Sequence, residues 1–421
     1  MTSKERVKAS LDHKDSDKVP VDFGGTAVTG MHASCVEALR KHYGLKQEPV
    51  KLYEPYQCLG WIEDDLAEAI GVDVSEVSGE RTMFGTKKSG WKEWKTPWGQ
   101  LVLVGSDFET MVDEKGDTLS FPQGDRSVAP SARLPSGGYF FDAINRQPPL
   151  PMDEADLKLE DNLEEFAPIS DVDIAYIKTR AEAVFRSGKA SVGNFGGTGL
   201  GDIALVPAMN LKAPKGIRDV TEWYVSTVAR SDLVHSIFQK EVDIALENLK
   251  RINASFGDKI DVIFICGTDF GTQDSTFCSP DTFNELYRPY YRKVNDWVHA
   301  NTPWKTFKHS CGSIPNFIPL FIEAGFDIIN PVQASAKGMD PAWLKKEFGK
   351  DIVFWGGGVN TQATLPFGTP EQVRAEVLER LRIFSPGGGF VFDAIHNVQA
   401  LTPTANIVAM LDAVKEFNGK R

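Results

Sequence analysis

Ile260-Asp-Val-Ile-Phe-Ile-Cys266, Lys305-Thr-Phe-Lys-His309, Asp327-Ile-Ile-Asn330, Ile352-Val-Phe-Trp355 and Phe390-Val-Phe392 are short runs rich in apolar, β-branched and aromatic residues. Each is the length of a strand, and helical patterns separate them, at 280–299, 314–323, 340–348 and 370–384. Upstream, Ala190–Phe195 reads as a strand and 232–254 as a long helix, and 403–417 closes the series as a helix. Strands alternating with helices give a parallel sheet, because a parallel neighbour can be reached only through a crossover. So many units in succession favour closure into a barrel, an α/β fold of the TIM-type (β/α)8 kind.

Helix starts agree with this reading. Thr369-Pro370-Glu371-Gln372 is a capping box with proline at the first helical position, and Ser279-Pro280 and Thr402-Pro403 repeat the cap-then-proline pattern. In 314–323, Ile314, Phe317, Ile318, Phe321 and Ile322 share one helical face that would pack on the barrel.

Residues 1–170 are less regular and read as an N-terminal extension, with 171–421 as the main part of the barrel in one structural domain. An opening helix (3–12) leads to Lys18-Val-Pro-Val-Asp-Phe-Gly-Gly25, a candidate first barrel strand, and helices are expected near 33–44 and 59–70. Segment 88–120 alternates polar and apolar residues around Pro97-Trp98-Gly99, which predicts a small antiparallel insertion with Trp91, Trp94 and Trp98 on its hydrophobic side. The stretch 121–150 reads as an irregular surface excursion or an oligomer contact.

The chain has 421 residues, 42% of them hydrophobic, enough for a large core. Its 46 Lys and Arg against 58 Asp and Glu give a net charge of −12, which disfavours an unaided grip on nucleic acid or anionic lipid. No run approaches the roughly 18 apolar residues of a membrane span, and Met1-Thr-Ser-Lys-Glu-Arg6 opens a charged helix rather than a signal peptide. A cytoplasmic location is the expectation. The five cysteines (Cys35, Cys58, Cys266, Cys278, Cys311) form no Cys-x-x-Cys pair, so reduced thiols are expected. A homodimer is the default assembly.

In such a barrel the reactive site forms where the strands end. Six runs deliver polar groups there: Asn194 onward, Gly267-Thr-Asp269, His309-Ser-Cys311, Asn330-Pro-Val-Gln333, Gly356 to Asn360, and Asp393-Ala-Ile-His-Asn397. His309 and Cys311 stand two residues apart, so in an extended chain both side chains leave the same face and can reach one ion. The plainer reading is a hydrogen-bonded core histidine beside a buried thiol. His396 is the candidate third ligand, with acid/base or substrate-contact work as its alternative. Together the three make a His/Cys/His zinc set with an open fourth position. Asp269 is the candidate catalytic acid, and Asn194, Asp269, Asp274, Gln333, Trp355 and Asn360 are candidate substrate contacts. For both aspartates, capping of the next element is the bland alternative. Gly196-Gly-Thr-Gly-Leu-Gly201 and Pro386-Gly-Gly-Gly389 lack the lysine and the strand-then-helix setting of phosphate-binding loops and read as tight turns.

These stretches resemble the uroporphyrinogen decarboxylase superfamily. The likeness is carried by Lys4-Glu-Arg-Val-Lys-Ala-Ser-Leu-Asp-His-Lys-Asp15 with Val19-Pro-Val21, His309-Ser-Cys-Gly-Ser313 and Gly325-Phe-Asp-Ile-Ile-Asn-Pro-Val-Gln333. Phe354-Trp-Gly-Gly-Gly-Val-Asn-Thr-Gln362, Gly368-Thr-Pro-Glu-Gln-Val373 and Thr402-Pro-Thr-Ala-Asn-Ile-Val-Ala-Met410 add to it. The resemblance implies a TIM-type barrel and either of two chemistries: decarboxylation, or zinc-dependent methyl transfer with a corrinoid. Segment 20–32 contains no arginine where the decarboxylase branch carries an arginine-rich stretch. The His-x-Cys pair is similar to the methyltransferase branch, although His396 stands where that branch has a later cysteine. The expected activity is therefore movement of a methyl group between a small methylated substrate and a corrinoid. Without an Asp-x-His-x-x-Gly motif in this chain, the corrinoid would come on a partner protein or free. A metal-independent decarboxylase and a non-catalytic corrinoid-docking subunit are the rivals.

Overall fold

The computed structural model describes residues 1–151, 156–195 and 199–420, so part of the glycine run 196–201 lies outside the described residues. Seven parallel strands lie side by side in the order Phe390–Val391, Val353–Trp355, Ile328–Asn330, Lys305–His309, Val262–Cys266, Ala190–Asn194 and Val74–Ser78. The two outer strands are joined by the stretch around Val21. Val21 bridges Phe392 in parallel, the Phe392 N–H donates to the Pro20 carbonyl at 2.8 Å, and the Asp73 N–H donates to the Val21 carbonyl at 2.8 Å. This eighth segment, the candidate first strand, closes the sheet into a (β/α)8 barrel, which leaves no exposed strand edge.

The strands alternate inward and outward residues, except at the irregularity between Phe264 and Cys266. Val74, Val192, Val262, Phe307, Ile328, Val353, Trp355 and Val391 pack together inside the barrel, whereas Val21, Val77, Ile263, Ile329, Phe354 and Phe392 join the outer core beneath the helices. Inward positions nearer the strand ends are therefore Asp22, Glu76, Asn194, His309, Asn330 and Asp393. The lumen is apolar at its base and polar at its rim.

The opening helix, Ser3–Leu11, is capped by a Thr2/Glu5 box and plugs that base. Val7 and Leu11 belong to the inner cluster, the Ser10 hydroxyl donates to the Phe390 carbonyl at 2.6 Å, and the Gly389 N–H donates to the Ser10 carbonyl at 2.8 Å. Leu11→Ala would leave a cavity in the plug and is expected to cost about 2–4 kcal/mol of stability in urea unfolding.

Several elements depart from the sequence reading. Beside the expected first strand, Val74–Ser78 is a second barrel strand ahead of residue 170. Val74–Ser78 is hard to see because its inward Glu76 and outward Ser75 break the apolar run expected of a strand buried on both faces. Helices Asp171–Ser187 and Val220–Ala229 were also not anticipated, although Ser170 caps the first and left-handed Gly188 ends it. The helix expected at 59–70 covers Asp64–Ile70, because Leu59–Gly60 pairs as a strand with Val50–Glu54. The helix expected at 314–323 is regular from Ile318 to Glu323, with Ile314, Phe317, Ile318 and Phe321 fully buried.

The antiparallel insertion is larger than 88–120. Lys92–Lys95 pairs with Leu101–Val104, which in turn runs parallel to Val50–Glu54, and a separate meander joins Thr110–Val112, Thr118–Ser120, Ala132–Leu134 and Asp142–Ala143. The stretch 121–150 is thus partly regular, and its Phe141 packs edge-on to Phe84 and against Trp94. No helix among the described residues is long and apolar enough to cross a membrane.

Candidate metal centre

His309 is the last residue of its strand and pairs in register with Asn330 on the next. That register sets the imidazole. Nδ1 of His309 donates to Oδ1 of Asn330 at 2.6 Å, and Nδ2 of Asn330 donates to the Trp355 carbonyl at 2.9 Å. The proton on Nδ1 is fixed, so Nε2 carries the lone pair, and it lies 3.3 Å from Sγ of Cys311. Burial holds the His309 pKa down at about 4, so the ring is neutral and fit to bind a metal at ordinary pH.

Cys311 is placed by its backbone. Its N–H donates to Oδ1 of Asp269 at 2.7 Å, and the next N–H, of Gly312, donates to Oε1 of Gln333 at 2.8 Å. Gly312 has φ +88°, and a Cβ there would lie 2.4 Å from the Gly271 backbone, so only glycine lets the two loops approach this closely. Burial, and Asp269 after it, pushes the Cys311 thiol well up. A divalent cation reverses that balance by favouring the thiolate.

His396 completes the trio. One ligand atom from each of His309, Cys311 and His396 falls within 4.8 Å of the others, and the two imidazoles stand 5.3 Å apart at 74°. His396 holds φ +70°, an uncommon conformation for a residue with a side chain. Its Nδ1 accepts the Asn397 N–H at 2.8 Å, which leaves the ring proton on Nε2. Burial takes its pKa down to about 3. His309 is thus preset for ligation through Nε2, whereas His396 must lose or move a proton to ligate through the same atom. Two imidazoles and a thiol within reach of one ion suit zinc in donor softness.

Asp269 lies beside the trio, with Oδ1 3.7 Å from Nε2 of His309 and its side chain about one-quarter exposed. Burial raises its pKa, opposed by the Cys311 N–H and by the Lys308 ammonium. Lys308 itself is fully buried. Its Nζ donates to the carbonyls of Thr268 at 2.6 Å and His309 at 2.5 Å, and the rings of Phe270, Tyr291 and Phe321 surround it at 5.2, 5.7 and 5.7 Å.

The other candidate residues divide. Gln333 ties the Cys311 loop to Gln273, to which its Nε2 donates at 3.1 Å, and so braces the site from the next strand end. Asn194 ends its strand facing the lumen. Trp355 is a 0% exposed interior ring, with Nε1 donating to Oδ2 of Asp22 at 2.9 Å, rather than a rim side chain. Asn360 spends its Oδ1 on the N–H groups of Gln362 and Ala363, a turn cap, and Asp274 is exposed in the loop beyond Asp269. The sequence places Asn330 at the rim without a role of its own, and it does not single out Lys308. The pairing of a strand-terminal Asn with a strand-terminal His was the available signal for the first. For the second there was none, since a strand lysine looks the same whether it faces solvent or a helix.

Asn330→Ala removes the acceptor that fixes the His309 ring, and is expected to weaken zinc binding roughly 10- to 100-fold in competition titration.

Comparison with known proteins adds three findings. The uroporphyrinogen decarboxylase (URO-D) family model matches residues 208–417. A uroporphyrinogen decarboxylase from Pseudoalteromonas translucida (strain TAC 125) is 27% identical over 151 residues, 34% of this chain and 39% of that protein. The match therefore spans about two-fifths of the relative's length. Among solved structures, a methyltransferase from Methanosarcina mazei superposes over 99% of both chains with a TM-score of 0.54 at 16% identity, a likeness of fold.

Proposed function

With residues 208–417 a URO-D family domain, we propose that this protein is a zinc-dependent methyltransferase component that moves a methyl group between a small methylated substrate and a corrinoid, carried by a partner protein or free. The observation that carries the reading is the convergence of His309, Cys311 and His396 within 4.8 Å at the barrel's polar rim. His309 and Cys311, joined by His396, would hold the ion, which when bound supplies Lewis acidity toward a substrate oxygen or sulfur.

The chain's own groups do the rest. Asn330 locks the His309 tautomer, the Asp269 carboxylate and Gln333 hold the Cys311–Gly312 backbone, and the Lys308 ammonium ties together the ends of two strands. Asp269 adjoins the ligands with a partly exposed carboxyl, where it can orient the substrate or pass a proton to a leaving oxygen.

The name of the bacterial relative favours a second reading, a metal-independent carboxy-lyase. Such an enzyme must hold an anionic substrate. The inward rim positions Asp22, Glu76, Asn194, His309, Asn330 and Asp393 include no arginine or lysine, which weighs against it.

The test is a methyl-transfer assay with reduced cobalamin and a panel of methyl ethers, thioethers and methylamines, on protein stripped of zinc and then restored. Turnover that follows zinc occupancy supports the proposal. Carbon dioxide release by zinc-free protein from a carboxylated substrate would replace it with the lyase.

A further inference from the structure

At the seam where the barrel closes, two carboxyl groups face inward from adjacent strands. Val21 pairs with Phe392, so Asp22 and Asp393 are next in register, and the Asp22 N–H donates to the Phe392 carbonyl at 2.9 Å. Asp22 is 0% and Asp393 1% exposed. Side by side and out of water, both cannot stay ionised without a cation. Lys88, on the neighbouring strand's side, pairs with Glu76 at 3.7 Å and donates to Ser78 at 2.6 Å. The other groups facing the pair are the Thr29 hydroxyl, which also favours the Asp22 carboxylate, the Tyr53 phenol, which donates to the Thr26 carbonyl at 3.1 Å, and the Trp355 indole.

Their hydrogen bonds differ in which protonation state they favour. Asp22 accepts on both oxygens, from the Gly25 N–H at 2.8 Å and from Trp355 Nε1 at 2.9 Å. Those donors favour its carboxylate form. Asp393 accepts on Oδ1 from the Ala394 N–H at 2.8 Å, while its Oδ2 is buried with no partner. An orphaned buried carboxyl oxygen calls for an explanation, and a hydrogen bond to a bound molecule supplies one. Burial raises Asp22 to about 6 and lifts Asp393 well above the usual carboxylate range, with Asp22 adding to the second shift.

We propose that Asp22 and Asp393 share one proton, carried on Oδ2 of Asp393, and that this O–H is a hydrogen-bond donor to an acceptor oxygen of the substrate inside the barrel. The substrate class follows. It carries, besides the methylated atom at the metal, a carbonyl, hydroxyl, ether or carboxylate oxygen directed at the seam. The pair belongs to the metal site through Trp355, whose indole bonds Asp22 and whose carbonyl accepts from the Asn330 that orients His309. The substrate half of the inference rests on the methyl-transfer reading, and the protonation half does not.

Infrared difference spectroscopy of full-length wild type against Asp393→Asn at neutral pH tests protonation. The wild type is expected to show a carboxylic-acid carbonyl band that the variant lacks, and its absence overturns the inference whatever the activity. In the cobalamin assay, Asp393→Asn retains a donor and is expected to keep KM within about twofold, whereas Asp393→Leu raises KM roughly tenfold or more with a smaller change in kcat. Unchanged KM in Asp393→Leu, or equal losses in both variants as a cation-binding carboxylate would give, overturns it. If Asp393→Leu does not fold, the asparagine arm and the band still decide. Wild type that transfers no methyl group counts against the proposed function, and the band alone then judges the acid pair.

Discussion

His309→Ala is expected to abolish stoichiometric zinc and, with it, methyl transfer. Only Cys311 and His396 would remain, and His396 keeps its proton on Nε2 as long as Nδ1 accepts from Asn397. Losing a ligand should cost more than losing the group that orients one, so zinc affinity should fall by more than about a hundredfold. The fold should survive. The substitution leaves Oδ1 of Asn330 without its donor, worth about 1–3 kcal/mol. Metal content by mass spectrometry, circular dichroism and turnover should therefore separate: no zinc, no transfer, near-native secondary structure. Wild-type turnover in this variant would remove the metal from the mechanism.

Lys308→Met is expected to have the next largest effect. A buried ammonium costs several kcal/mol to desolvate, and here two carbonyl acceptors and three aromatic faces offset that. Methionine fills similar volume but leaves the Thr268 and His309 carbonyls without a donor, a loss of about 2–4 kcal/mol in urea unfolding. The functional loss should exceed what destabilisation explains, because those carbonyls belong to the residue before Asp269 and to a proposed metal ligand. Zinc affinity in Lys308→Met should drop roughly tenfold even where the protein is fully folded. Unchanged affinity would make Lys308 a matter of folding alone.

The second half of the barrel was legible because its strands are buried on both faces and its helices carry their own start signals. Lys305–His309 and Pro370–Phe384 fall where the sequence puts them. The first half was harder. Val74–Ser78 carries an inward glutamate that breaks its apolar run, whereas the stretch around Val21 reads as a candidate strand although it pairs through a single bridge. The cluster of His309, Cys311 and His396 was visible as two strand ends, since any barrel brings such ends to one rim. What could not be read was where side chains point within that rim. Trp355 looked like a rim residue and lies inside, and Asn360 looked like a ligand contact and caps a turn, because both depend on the residue just beyond the strand's end. Asp22 and Asp393 are 371 positions apart in sequence. Their pairing exists only once the barrel shuts.

The plug at the barrel's foot governs traffic. With Ser3–Leu11 wedged beneath the inner cluster, the barrel is closed at its foot, so on the proposed chemistry the substrate's door would be the polar rim. On the proposed chemistry a bulky corrinoid carrier must use that same door. The small substrate would then have to be seated before the carrier lands, and its product could not leave until the carrier lifts away. Turnover should follow a compulsory sequence, and surplus carrier should slow the reaction by sealing empty chambers.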